Sequence, residues 1–170
     1  MAEFTLRAGW DHVKRLAGED SPEKALTELV WNSLDAEATT VRIDIDRNEL
    51  NGILGVSVRD NGHGFNRNDA TGDFRDIGDS WKRKQTRTRN DLRALHGSRG
   101  QGRIRGFALG SQVSWQSIAL AVDGSLEETT VSAEANRPDR IVIDSRKIET
   151  EQPTGTVFAA YNNTQIGRAH

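Results

Sequence analysis

The chain has 170 residues, with 23 Lys and Arg against 25 Asp and Glu for a formal net charge of −2. That length suits one domain with a sizeable core, and a charge near zero excludes a general polyanion binder, so any affinity for anions must be local. Cysteine is absent, which removes disulfides, zinc–cysteine sites and thiol nucleophiles together, and no run is long and apolar enough to span a bilayer.

The opening Met1-Ala2-Glu3-Phe4-Thr5 lacks the basic start and apolar centre of a signal peptide, so a cytoplasmic address and no membrane partner are expected. Residues 4–7 read as a short strand and 10–16 as a first helix. Ser21-Pro22-Glu23 is a helix start: serine as N-cap, proline in the first turn, an acid near the positive end. The helix it opens is predicted to run from Pro22 to Glu37. At about 100° per residue Glu28, Asn32 and Asp35 share one narrow face, and Leu26, Leu29, Val30 and Leu34 fill the opposite one. A carboxylate and an amide one turn apart can hold a metal ion and a water molecule side by side. Alone, the stripe fits a solvated helix face better than a site, since most polar helical stripes only face water.

Residues 41–46 alternate apolar and polar, a half-buried strand; Asn51-Gly52 is a hairpin turn and residues 53–59 return as the antiparallel partner. That strand runs into Asp60-Asn61-Gly62-His63-Gly64-Phe65. Glycines on both sides of a histidine let the backbone turn sharply and let a flat ligand approach without meeting a Cβ. An acid just ahead of them can accept a hydrogen bond from an exocyclic amine such as adenine's, whereas the alternative is an ordinary Asp/Asn/Gly turn. His63 has no neighbouring nucleophile or second metal ligand and is read as incidental.

Residues 66–96 are polar, poor in aliphatics and increasingly basic, a long connection with a turn of helix around 73–77. From Lys82 through Arg83, Lys84, Arg87, Arg89, Arg93, Arg99 and Arg103 to Arg105 the only acid is Asp91. Such a cluster suits a polyphosphate more than a nucleic-acid backbone, because aromatic interleaving is limited to Trp81. Gly97-Ser98-Arg99-Gly100-Gln101-Gly102, followed by a short helix, would turn backbone N–H groups and a positive helix end toward an anion. It is neither a dinucleotide fingerprint, lacking the strand-helix-strand unit, nor a P-loop, lacking the terminal Gly-Lys-Ser/Thr. Residues 112–122, 127–135 and 140–144 are predicted strands, broken by Asp123-Gly124 and Arg137-Pro138-Asp139. Pro153-Thr154-Gly155 is a turn feeding a last strand through Tyr161, and Asn162 onward reads as a frayed end or cut linker.

In order, Glu28-x-x-x-Asn32-x-x-Asp35-Ala36, Asp60-x-Gly62-x-Gly64, Gly97-x-x-Gly100-x-Gly102 and Gly155-Thr156 entering a strand resemble the GHKL ATPase superfamily of gyrase B subunits, heat-shock chaperones, MutL mismatch-repair proteins and histidine kinases. The resemblance covers most of the chain and implies a Bergerat-type fold: an α/β two-layer sandwich, a mixed, mostly antiparallel sheet with helices on one face. It implies one ATP-binding domain over 1–165, with 166–170 a frayed end or truncated linker. By the same resemblance Glu28 is the general base toward the γ-phosphate, Asn32 a Mg²⁺ ligand, and Asp35 lies on the same stripe. Asp60 reads the adenine amine with Thr156 near the same edge through water, Gly64 closes the pocket, and Gly62 of the same motif is counted among the nucleotide-binding residues. Gly97, Arg99, Gly100, Gln101 and Gly102 cradle phosphate, and Lys82 takes the place of a lid lysine. The implied ligands are ATP or ADP with Mg²⁺; the implied activity is ATP hydrolysis coupled to lid closure and ATP-dependent homodimerisation.

An acid at Glu28 and the lack of a phosphoacceptor-histidine helix pair set the chain apart from histidine kinases. In the hydrolysing branch a second domain supplies a lysine to the γ-phosphate, and the residues after Tyr161 are too few to be one. A missing C-terminal domain or partner protein, and slow turnover without it, are therefore expected. A nucleotide-holding module without useful turnover is the rival reading.

Overall fold

The computed structural model describes residues 1–5, 21–75 and 105–162. The predicted helix at 10–16 and the segment holding Lys82, Gly97, Arg99, Gly100, Gln101 and Gly102 lie outside the described residues.

Helix α1 is Pro22–Asp35, and its start is built as its sequence dictates: Ser21 is extended and its hydroxyl accepts from Lys24 N at 3.2 Å. Glu23 occupies the first turn, where its own backbone N–H and the Ser21 side chain hold its carboxyl below the usual value. One line of α1, Ala25, Leu29 and Ser33, is buried at i, i+4, i+8 spacing. The Glu28–Asn32–Asp35 stripe flanks that line instead of lying across the helix from it, so Glu28 and Asn32 are half-buried and Asp35 is buried.

The strands are β1 (Ala2–Thr5), β2 (Val41–Arg47), β3 (Ile53–Asp60), β4 (Gln112–Leu120), β5 (Leu126–Glu134), β6 (Arg137–Ile148) and β7 (Gly155–Tyr161). Among the described residues they form one sheet in the order β1-β6-β5-β4-β7-β3-β2, antiparallel in every pairing. Alternation places Val113, Trp115, Ser117 and Ala119 of β4 on the buried face, with Val56 and Val58 of β3, Ile141 and Ile143 of β6, and Phe158 and Ala160 of β7. Against that face pack α1 and helix α2 (Arg67–Arg75), whose Phe74 stands edge-on to Trp115 with centroids 5.1 Å apart. Trp115 in turn meets Phe158 at 5.1 Å. The architecture is the two-layer α/β sandwich expected.

Three local expectations change. The stretch from Asn66 begins as a helix because Asn66 and Asp69 cap each other reciprocally: Asp69 N donates to Asn66 Oδ1 at 3.0 Å and Asn66 N to Asp69 Oδ2 at 3.3 Å. The β2–β3 turn spans residues 48–52. Its organiser is the Asn48 side chain, which accepts from Leu50 N and Gly52 N, while Asn51 takes the left-handed conformation at φ 64°. Arg137-Pro138-Asp139 belongs to β6 and does not break it. The break is Ala135-Asn136, and Pro138, second in the strand and fully buried, lies beside a register irregularity where no ladder N–H is needed.

Candidate functional site

The end of β3 and the start of β7 are paired so that Asp60 lies opposite Thr156, and Thr156 opposite Ser117 of β4. Three neighbouring strands thus carry a row of polar side chains on the face that is otherwise apolar core. The Asp60 carboxylate is the centre of that row. Its Oδ1 accepts from Gly62 N at 2.9 Å and Thr156 N at 3.2 Å, and its Oδ2 accepts from the Ser33 hydroxyl at 2.9 Å. A carboxylate offers about four lone-pair directions. Three are taken by groups that fix its orientation, so one direction on Oδ2 remains to accept from an N–H donor.

The glycines keep this arrangement close. A Cβ on Gly62 would stand 2.6 Å from Ala36 O, and one on Gly155 would stand 2.3 Å from Asp60 O. Gly64 has φ +66°, and a Cβ there would meet Ile118 O at 2.4 Å and Ser117 Oγ at 2.7 Å. Gly62 and Gly64 therefore give up side chains to admit protein backbone, which seats the loop after β3 between α1 and β4. Thr154 Oγ1 donates to Gly62 O at 2.9 Å and Phe65 N donates to Ser117 Oγ at 2.8 Å, holding the loop from its other side. His63 donates its backbone N–H to Ala36 O at 2.9 Å, and its Nδ1 meets Gly64 O at 2.7 Å.

On the other flank of α1, Glu28 pairs with Arg105: Nη1 donates to Oε1 at 3.1 Å, with the two side chains 26% and 34% exposed. Arg105 opens a 3₁₀ turn, Gly106–Ala108, whose Gly106 is pressed onto the core; a Cβ on it would meet Phe158 Cε2 at 3.0 Å. One helix thus touches both groups of polar residues, Ser33 and Ala36 reaching Asp60 and Gly62, and Glu28 reaching Arg105.

Of the sequence-predicted residues, Asp60, Gly62, Gly64 and Thr156 are brought together, and Glu28, Asn32 and Asp35 lie on the helix beside them. Lys82 and the Gly97–Gly102 set fall outside the described residues. Ser33, Ser117 and Thr154 were not singled out from sequence. Ser33 carried a signal, a hydroxyl on the otherwise apolar Ala25–Leu29 line, whereas Ser117 is one polar residue of an alternating strand and Thr154 one of several in a turn. In sequence Arg105 is one of the basic cluster, and nothing there marks it as a partner of Glu28. Among the described residues no three His, Asp or Glu side chains converge to cage a metal.

A family profile described as "Histidine kinase-, DNA gyrase B-, and HSP90-like ATPase" matches residues 20–166. The DNA mismatch repair protein MutL of Colwellia psychrerythraea is 34% identical over 128 residues, 74% of this chain and 18% of that protein. The DNA mismatch repair protein MutL of an Exiguobacterium species is 47% identical over 60 residues, 34% of this chain and 9% of that protein. The chain spans less than a fifth of the length of these relatives.

Proposed function

Since the chain belongs to the histidine kinase-, DNA gyrase B- and HSP90-like ATPase family, we propose that residues 1–165 form one module that binds and hydrolyses ATP within a mismatch-repair-type machine. The observation that carries this reading is the Asp60 carboxylate, oriented by Ser33, Gly62 and Thr156 with one acceptor direction to spare. That direction takes the adenine 6-amine, and a base with a carbonyl there would set acceptor against acceptor. Ser117 and Thr156, whose hydroxyls share a hydrogen bond of 3.2 Å, line the same edge.

At the phosphate end Glu28 orients the attacking water. The water oxygen forms the new bond to the γ-phosphorus, its proton passes to the Glu28 carboxylate, and the bridging P–O bond breaks with its electron pair remaining on ADP. Asn32 would hold Mg²⁺, which when bound neutralises phosphate charge. By the family resemblance the Gly97–Gly102 stretch, Arg99 and Gln101 included, supplies N–H donors to the phosphates, and Lys82 serves as the lid lysine. ATP-driven closure of that stretch and reversible self-association rest on the family resemblance alone, and so does the role of a further domain or partner protein in completing the site.

Calorimetric titration tests the reading. The wild-type chain should bind ATP and ADP in Mg²⁺, and Asp60→Asn, which turns an amide donor toward the amine or toward Ser33, should weaken both about 100-fold or more, some 3 kcal/mol. Equal affinity in the two proteins would remove Asp60 from the pocket.

A further inference from the structure

We propose that Arg105 is a positioning residue for turnover: it holds the Glu28 carboxylate by one oxygen so that the other faces the attacking water. The inference rests on Glu28 being the general base. A carboxylate on a helix flank samples several rotamers, and a base works only when a lone pair is presented within hydrogen-bond reach of the proton it takes. Arg105 Nη1 occupies Oε1 at 3.1 Å. The pair is partly shielded, with 26% of the arginine side chain and 34% of the glutamate side chain exposed, which screens it less than a surface pair.

What makes Arg105 a fixed point is its neighbour. Gly106 is buried against the Phe158 and Trp115 rings, and Leu109 N closes the turn onto Gly106 O at 3.0 Å. The guanidinium is therefore aimed from the hydrophobic core, and its planar fork suits a carboxylate better than a lysine's flexible ammonium would.

A purely structural pair would join α1 to the 3₁₀ turn and do nothing more, so the test separates contact from role. Thermal unfolding of the nucleotide-free wild type, Arg105→Ala, Glu28→Ala and the double variant reads the contact; the losses should be non-additive, the double variant resembling either single one. Additive losses would overturn the contact in solution. Calorimetry with ATP and ADP and steady-state phosphate release then read the role. For Arg105→Ala we expect affinities within about threefold of wild type, kcat lower by about tenfold or more, and no further loss when the change is added to Glu28→Ala. Arg105→Gln, which keeps the stem and a donor amide, accompanies it in case the alanine variant does not fold; its kcat should fall about threefold or more at unchanged KM. Turnover that depends on Glu28 but is indifferent to Arg105 would overturn this inference alone. Turnover absent from the wild type, or intact in Glu28→Ala, would overturn the general-base assignment and this inference with it.

Discussion

The two ends of the candidate site are built differently. At the Asp60 end, three donors from three separate segments converge on one carboxylate, and glycines at 62, 64 and 155 bring backbones to distances no Cβ would allow. At the Glu28 end, one ion pair to Arg105 is what orients the carboxylate among the described residues. The first is over-determined and the second adjustable. For the proposed ATPase that division is apt: recognition of the base should not change during turnover, while the reacting groups must be assembled and released. Binding and turnover should therefore be separable by mutation.

The largest effect expected is at the adjustable end. Glu28→Ala should reduce phosphate release by about 100-fold or more while leaving ATP affinity within about threefold; a variant that hydrolyses at the wild-type rate would erase the contrast between the ends. Next is the rigidity of the other end. Gly64→Ala forces a side chain at φ +66° into Ile118 O and should lower stability in urea by about 2–3 kcal/mol, whereas an unchanged midpoint would mean the loop after β3 yields. Ser33→Ala removes one of three donors to Asp60 and should weaken ATP binding about fivefold, near 1 kcal/mol, with kcat little changed. A kcat effect exceeding the binding effect would show that the two ends are coupled through α1.

The smallest effect lies away from the site and serves as a control. Glu128 on β5 has its carboxyl held below the ordinary 4.5, first by Arg146 and then by Gln116. A depressed carboxyl contributes stability above its unfolded value and loses it as pH falls through the folded one. Glu128→Gln should accordingly lower the melting temperature by about 2–4 °C at neutral pH, with the gap closing below 4.5, and leave nucleotide binding untouched.

The parts of this protein that sequence reveals are those encoded by neighbours in the chain. Ser21-Pro22-Glu23 opens α1 through its own hydroxyl and ring, and the alternation around Trp115 makes a half-buried strand because period two matches the pleat; β2 forms as a strand too, but at the sheet edge its Ile43 and Ile45 are exposed and the expected half-buried face is absent. Asp60 was readable because the glycines that seat its loop follow it directly. Ser33 and Ser117 were not, since each acquires a role only when strands and helix from distant parts of the chain meet at the loop after β3. Pro138 misled for a related reason: a proline argues against a strand, unless, as here, the strand pairing is locally irregular. Arg105 reads as one of many basic residues until Gly106, packed on Phe158, aims it at Glu28.

Whether Asp60 and its donors read an adenine amine can be tested without phosphate chemistry. Adenosine titrated into the uniformly ¹⁵N-labelled chain should shift the backbone amides of Gly62 and Thr156, the two that donate to Asp60 Oδ1, and guanosine should not. Adenosine binding that leaves both amides unmoved, or equal shifts with guanosine, would mean that Asp60 does not read the base.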